Sequence, residues 1–337
     1  MNVPPHAADA AETAAPRPTS ADVVRARQRI RGLTVRTPLV SARRLGEEAG
    51  VRLFLKAENL QRTGSFKLRG AVNRIAVLAS SGRVVRGVIT ASSGNHGQAL
   101  AYAARAFGYP AVVVMPEDAA PPKVAAARAF GAEVIHHGRT SAERFERAHA
   151  LAHERGLEFV PPYDDVHIIA GQGTIGWEIL EDCPEVDAVL VPLGGGGLLA
   201  GIATAVKARA AHVRVVGVEP EGSNAHQQSR AAGRIVTLER TETVADGLRK
   251  LAPGLLTFPI IQEQVDEIVT VSDDEILHAM ACLAVWTKLV VEPSGAVGVA
   301  AALAGRGVRP GERVVCVLSG GNVDPAVLAR ALAAPRG

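Results

Sequence analysis

Eight short apolar runs alternate with Ala-rich segments of helical spacing along most of this 337-residue chain. The strand-like runs lie at 51–56, 87–91, 111–115, 132–136, 158–160, 188–193, 213–218 and 314–318. Helical periodicity marks 95–107, 122–130 and 141–155 between them. Strand and helix alternating at this interval is the pattern of βαβ units, whose crossovers require parallel neighbouring strands. The expected fold class is therefore α/β with mostly parallel sheets. Composition agrees: 47% of residues are hydrophobic but only 4% aromatic, so Ala, Val, Leu and Ile must build the core. Ser20 is expected to cap a first helix reading ADVVRARQRIRG, and Ser272-Asp273-Asp274-Glu275 to form a capping box opening another.

Several function classes lose support at once. Lys+Arg 37 against Asp+Glu 34 leaves +3, and no basic run is dense enough for nucleic acid. No apolar stretch is long enough to span a bilayer, and no secretory pattern opens the chain. Cys183, Cys282 and Cys316 form neither a CxxC pair nor a disulfide framework, so a cytoplasmic location is expected. His149 and His153 stand four apart beside Glu154, but Ala150 occupies the position where a zincin needs glutamate. No Gly-x-Ser-x-Gly elbow is present.

Ligands of open α/β sheets collect beyond the carboxyl ends of strands, and four turns there have unusual composition. In KAENLQRTGSFKLRG (56–70), Thr63-Gly64-Ser65 reads as a turn opening a helix, with Lys67 in its first turn. A lysine is more often solvated, but a cation facing the positive end of a helix dipole has a depressed pKa and becomes a better nucleophile. In TASSGNHGQ (90–98), Ser92, Ser93 and Asn95 surround Gly94 at a helix start suited to a carboxylate or phosphate. In VPLGGGGLL (191–199), Gly194, Gly195, Gly196 and Gly197 separate an apolar strand from an apolar helix. Such a run is entropically costly unless backbone N–H groups form an anion nest. It matches neither the dinucleotide fingerprint nor the P-loop. In VVCVLSGGNVD (314–324), a strand ends in Ser319, whose hydroxyl can donate or accept.

A lysine at a helix start, an anion nest, a tetraglycine and a Ser-Gly-Gly turn together describe a pyridoxal phosphate site. The chain resembles the fold type II, tryptophan synthase β-like, pyridoxal-phosphate enzymes, specifically the serine/threonine dehydratase and serine racemase family. The matching pieces are K-x-E-N-x-Q-x-T-G-S-F-K-x-R-G-A, S-S-G-N-H-G-Q, P-P-Y-D-D-x-x-I-I-A-G-Q-G-T at 161–174, G-G-G-G-L, A-D-G at 245–247 and S-G-G-N-V-D. The resemblance runs in order from about Arg36-Thr37-Pro38-Leu39 to Asp324. The resemblance implies that Lys67 carries the cofactor as a Schiff base, with Phe66 beside the ring. It implies that Asn95 binds the ring hydroxyl, that Gly194 to Gly197 and Leu198 hold the phosphate, and that Ser319 meets the pyridine nitrogen. The resemblance also implies that Ser92, Ser93, Asn95 and His96 receive the substrate carboxylate.

The resemblance also implies two interleaved α/β domains: a large one from 21–77 and 161–334, and a small one, 78–160, inserted into it. Positions 1–20 read as a disordered tail, and a homodimer is expected. The activity implied is dehydration of L-threonine or L-serine. Ser93 leaves serine racemase and 3-hydroxyaspartate dehydratase as alternatives, since a serine there serves the opposite ring face. Racemase-like members bind a divalent cation through a glutamate and an aspartate six residues on. Glu219 fits the first position, but Ala225 occupies the second and cannot ligate, so no metal is expected. The chain leaves no length for a C-terminal regulatory domain, and feedback inhibition by isoleucine is not expected.

Overall fold

The computed structural model describes residues 16–92, 94–119 and 121–333. Its ten strands form two sheets among these residues. The larger orders β1 (Leu39–Ser41), β2 (Arg52–Ala57), β10 (Arg313–Leu318), β7 (Ala188–Pro192), β8 (Arg214–Pro220) and β9 (Glu267–Val271) side by side. All neighbours are parallel except β1 and β2. The smaller sheet is fully parallel and orders β5 (Ala132–His136), β4 (Ala111–Met115), β3 (Val88–Ala91) and β6 (Glu158–Phe159). Its strands all fall between β2 and β7 in the chain.

Strands covered on both faces should read as continuous apolar runs, and the central β4, β7 and β10 do. In β7, Ala188 and Leu190 face one core while Val189 and Val191 face the other; β10 alternates the same way. The first core is covered by α2 (Arg43–Ala49), α11 (Asp273–Cys282), α12 (Pro293–Leu303) and α13 (Pro325–Ala333). The second is covered by α7 (Val166–Asp182), α8 (Gly197–Arg209) and α10 (Thr257–Gln264), with α1 (Ser20–Ile30) packed behind α7. In the smaller sheet, Val113 and Met115 meet α3 (Lys67–Ser80), α4 (Asn95–Ala106) and α5 (Pro121–Ala129), while Val112 and Val114 meet α6 (Ser141–Arg155). Helix α9 (Ala225–Ala232) lies by β9.

The differences from expectation are local. Helix α1 is capped by Thr19 rather than Ser20, because only that frame puts Asp22 where its carboxylate can accept from the cap's own N–H, at 2.8 Å. Arg17 pairs with Glu263 at 2.9 Å, while positions 1–15 of the expected tail lie outside the described residues. Strands β1 and β9 were not anticipated. One is three residues long and the other is an edge strand with only one fully buried residue, so neither carries a strong apolar run.

Two features place α3, whose first residue is Lys67. Glycines let it approach α7 closely: a Cβ on Gly171 would lie 2.7 Å from the Arg69 carbonyl oxygen. Within its first turn, Arg69 is fully buried and its guanidinium pairs with two carboxylates, with Nε to Glu58 at 2.9 Å and Nη1 to Glu178 at 2.6 Å. The guanidinium also donates to Thr174 Oγ1 at 3.2 Å and the Val35 carbonyl at 3.3 Å. Lys56 joins Glu178 at 2.7 Å, giving two buried cations against two carboxylates. Burial pushes the Glu58 carboxyl up, but the Arg69 charge and hydrogen bonds outweigh it and hold the group below its usual range.

Candidate active site

The carboxyl ends of β3, β7 and β10 open onto one cavity of about 500 Å³ between the two sheets. Phe66, Lys67, Ser92, Asn95, His96, Gly194, Gly195, Gly196, Gly197, Leu198 and Ser319 all line it, although they come from four separate stretches of chain. Ser93 lies outside the described residues.

Lys67 is the first residue of α3, and its Nζ donates to the Pro162 carbonyl at 2.6 Å. The same Nζ stands 5.0 Å from the centre of the Phe66 ring. Burial and, next, the nearby charge of Lys250 lower the amine, Glu292 opposes both, and the net value is about 7. The low pKa has desolvation as its largest cause and a second lysine as the next.

At the turn before α4, the Gly94 N–H donates to Ser92 Oγ at 3.2 Å. Asn95 Nδ2 donates to Glu292 Oε1 at 2.7 Å, and Asn95 Oδ1 accepts from Asn322 Nδ2 at 2.7 Å. His96 Nε2 lies 3.1 Å from the Val160 carbonyl, an arrangement that requires the ring nitrogen to carry the proton. Burial, then the Lys67 charge, lowers His96 to about 3, so the ring is neutral at pH 7. Its imidazole is committed to Val160, and the backbone N–H is the part suited to an anion.

The tetraglycine opens α8, with Gly196 at φ +93°, a conformation that favours glycine. A Cβ on Gly195 would lie 2.5 Å from the Tyr163 ring, and one on Gly196 2.7 Å from the Thr257 side chain. The first N–H groups of a helix have no partner within it, so this cradle presents backbone donors at a positive helix end. Asp164 holds the far wall by accepting from Leu255 N and Leu256 N, both at 2.9 Å, and Thr257 Oγ1 donates to the Gly195 carbonyl at 2.7 Å. Ser319, nearly buried, donates to the Ser294 carbonyl at 3.4 Å.

Among the lining residues not singled out from the sequence are Tyr163, Lys250, Glu292 and Asn322. Tyr163 and Asn322 stand inside quoted motifs, and Lys250 follows A-D-G by three residues. Glu292 carries no glycine turn to mark it. Burial, then repulsion from Asp246, raises its carboxyl to about 8. Across the mouth, Lys123 of α5 pairs with Asp246 at 2.7 Å. Glu219 lies apart from this cavity. It is buried and accepts from His226 N at 3.0 Å and Gln227 N at 2.8 Å, which caps α9.

A family described as "Pyridoxal-phosphate dependent enzyme" matches residues 30–320. The chain belongs to this family. It is 47% identical to the L-threonine ammonia-lyase of Geobacter sulfurreducens, over 89% of this chain and 73% of the relative. It is 45% identical to the L-threo-3-hydroxyaspartate ammonia-lyase of Saccharomyces cerevisiae, over 91% of this chain and 94% of that one. Maize serine racemase superposes with a TM-score of 0.89 at 37% identity, covering 94% of this chain and 97% of that one. Pyridoxal 5'-phosphate is therefore the cofactor, and the enzyme is a fold type II ammonia-lyase by family. The residues fit the group: a cradle in which two glycines admit no Cβ, a lysine amine near neutrality, and amide and hydroxyl groups along the walls. No helix among the described residues is long and apolar enough to cross a membrane.

Proposed function

We propose that the enzyme removes water from L-threonine and/or L-serine and releases ammonia with 2-oxobutanoate or pyruvate. The observation that carries this reading is a lysine amine lowered to about 7 in a cavity it shares with a glycine cradle. The bound cofactor supplies an electron sink for the pair left on the substrate α-carbon. Lys67 holds it covalently, the N–H groups of 194–198 hold its phosphate, and Phe66 packs beside its ring. Asn95 meets the ring hydroxyl and Ser319 the pyridine nitrogen. The N–H groups of 92–96, Ser93 among them, receive the substrate carboxylate. The Lys67 amine, once freed, would take the α-proton as general base. A neutral hydroxyl at the Ser319 position would not hold a pyridine nitrogen protonated as a carboxylate would, a setting that would favour elimination of a β-substituent.

Two further activities share this machinery. Arg144 and Lys250 line the cavity together, and their mutual repulsion would be relieved by a second substrate carboxylate, which supports 3-hydroxyaspartate. The Ser-Ser-Gly sequence at 92–94 supports racemisation through Ser93 from the opposite face. We also read the 78–160 segment as a small domain inserted into the larger one, the enzyme as a homodimer, and its location as cytoplasmic. Light scattering of the purified protein tests the dimer.

The decisive measurement is incubation with L-serine, L-threonine and L-threo-3-hydroxyaspartate, following 2-oxo acid and D-amino acid together. 2-Oxo acid should lead from serine or threonine, and Lys67→Ala should abolish it. D-serine forming faster than pyruvate would overturn the dehydratase reading, and undiminished turnover by Lys67→Ala would overturn the mechanism.

A further inference from the structure

Asn95 is held at both ends by residues outside its own turn. Asn322 Nδ2 donates to the Thr63 carbonyl at 2.9 Å and to Asn95 Oδ1 at 2.7 Å. A backbone carbonyl can only accept, so Thr63 fixes which end of Asn322 carries nitrogen. Asn322 therefore fixes Asn95, whose oxygen must face it. The Asn95 amide nitrogen is then turned to Glu292 Oε1 at 2.7 Å. Flipping Asn95 would set donor against donor on one side and oxygen against oxygen on the other. One of its two N–H bonds is spent on Glu292, which leaves the second for a ligand in the cavity that all three residues line.

We infer that Glu292 and Asn322 are positioning residues, which lock the Asn95 amide so that its remaining N–H meets the ring hydroxyl of the cofactor. This rests on the proposed role of Asn95. The three side chains come from α4, from the residue before α12 and from the turn after β10, so the lock forms only when the two sheets are together. Glu292 is almost fully buried, and a Cβ on Gly320 would lie 2.3 Å from its Oε1, so its carboxyl has little room to move. It needs only an oxygen that accepts, which a neutral acid and a carboxylate both offer. Its raised pKa therefore leaves the lock intact in either state.

The test compares cofactor rebinding to cofactor-free protein, and the absorption maximum of the bound cofactor, in Asn95→Ala, Glu292→Leu, Glu292→Gln and the Asn95→Ala/Glu292→Leu double variant. Glu292→Leu should raise the cofactor Kd about tenfold, the size of one lost hydrogen bond, and move the absorption maximum in the direction of Asn95→Ala. Glu292→Gln, which keeps an accepting oxygen, should restore both. Because Glu292 acts through Asn95, the double variant should be no worse than Asn95→Ala alone. An unmoved Kd and spectrum in Glu292→Leu, or additive losses in the double variant, would overturn the inference while leaving the role of Asn95 standing. An Asn95→Ala variant with unaltered Kd and spectrum would overturn both. If Glu292→Leu does not fold, Asn322→Ala releases the amide from its other end and is judged by the same criteria.

Discussion

Lys67 draws its reactivity from neighbours that are remote in sequence. Lys250 lies 183 positions on, yet its charge is the second cause of the low Lys67 pKa, after burial. Replacing Lys250 by Met removes a positive charge, so protonated Lys67 becomes less unfavourable and its midpoint rises from about 7. On the proposed role of Lys67, only the neutral amine captures the cofactor. The pH profile for cofactor capture by the cofactor-free Lys250→Met protein should therefore move to higher pH, and an unmoved profile would remove Lys250 from the account. The sequence marked Lys67 as reactive through its place at a helix start. That placement is observed, but burial, a property of the assembled chain, has the larger effect.

At the scale of elements, glycines do two different things, and only one was legible. Those in the turns at 194–197 announce themselves by composition. Those inside α7 and α8 look like weak helix formers until the two helices are seen crossing on them. A Cβ on Gly201 would lie 2.3 Å from the Ile169 carbonyl oxygen, which is backbone and cannot swing aside. Gly201→Ala gains up to about 1 kcal/mol of helix propensity. Overpacking at such a contact costs about 1–3 kcal/mol, so the clash should win. Chemical denaturation should show net destabilisation of Gly201→Ala, whereas a more stable variant would mean that the helices can separate freely. Strands β1 and β9 escaped notice for a related reason. Their place in the sheet is decided by pairing with β2 and β8, and the local pattern of three or five residues does not encode a partner.

For the whole molecule, the buried cluster of Arg69, Glu58, Glu178 and Lys56 ties the start of α3 to β2 and α7, and so ties Lys67 to the larger sheet. Removing one member leaves buried charge without its partner, a change that typically costs about 3–5 kcal/mol. Arg69→Met should lose about that much stability in a denaturant titration, and a loss below about 1 kcal/mol would show that the cluster relaxes or takes up water. The exposed pair of Lys123 and Asp246 across the cavity mouth has no comparable weight, because solvent screens it. Alternating apolar runs and helices, read along the chain, determined a parallel α/β architecture. Four turns, each contiguous in sequence, determined which residues would line one cavity. These were legible because periodicity and turn chemistry are local. Tertiary structure alone decided that Glu292, Lys250, Tyr163 and Asn322 share that cavity, how far Lys67 is desolvated, and which way the Asn95 amide points. Each of these depends on groups brought together from both sheets, and burial and field are sums over everything nearby in space.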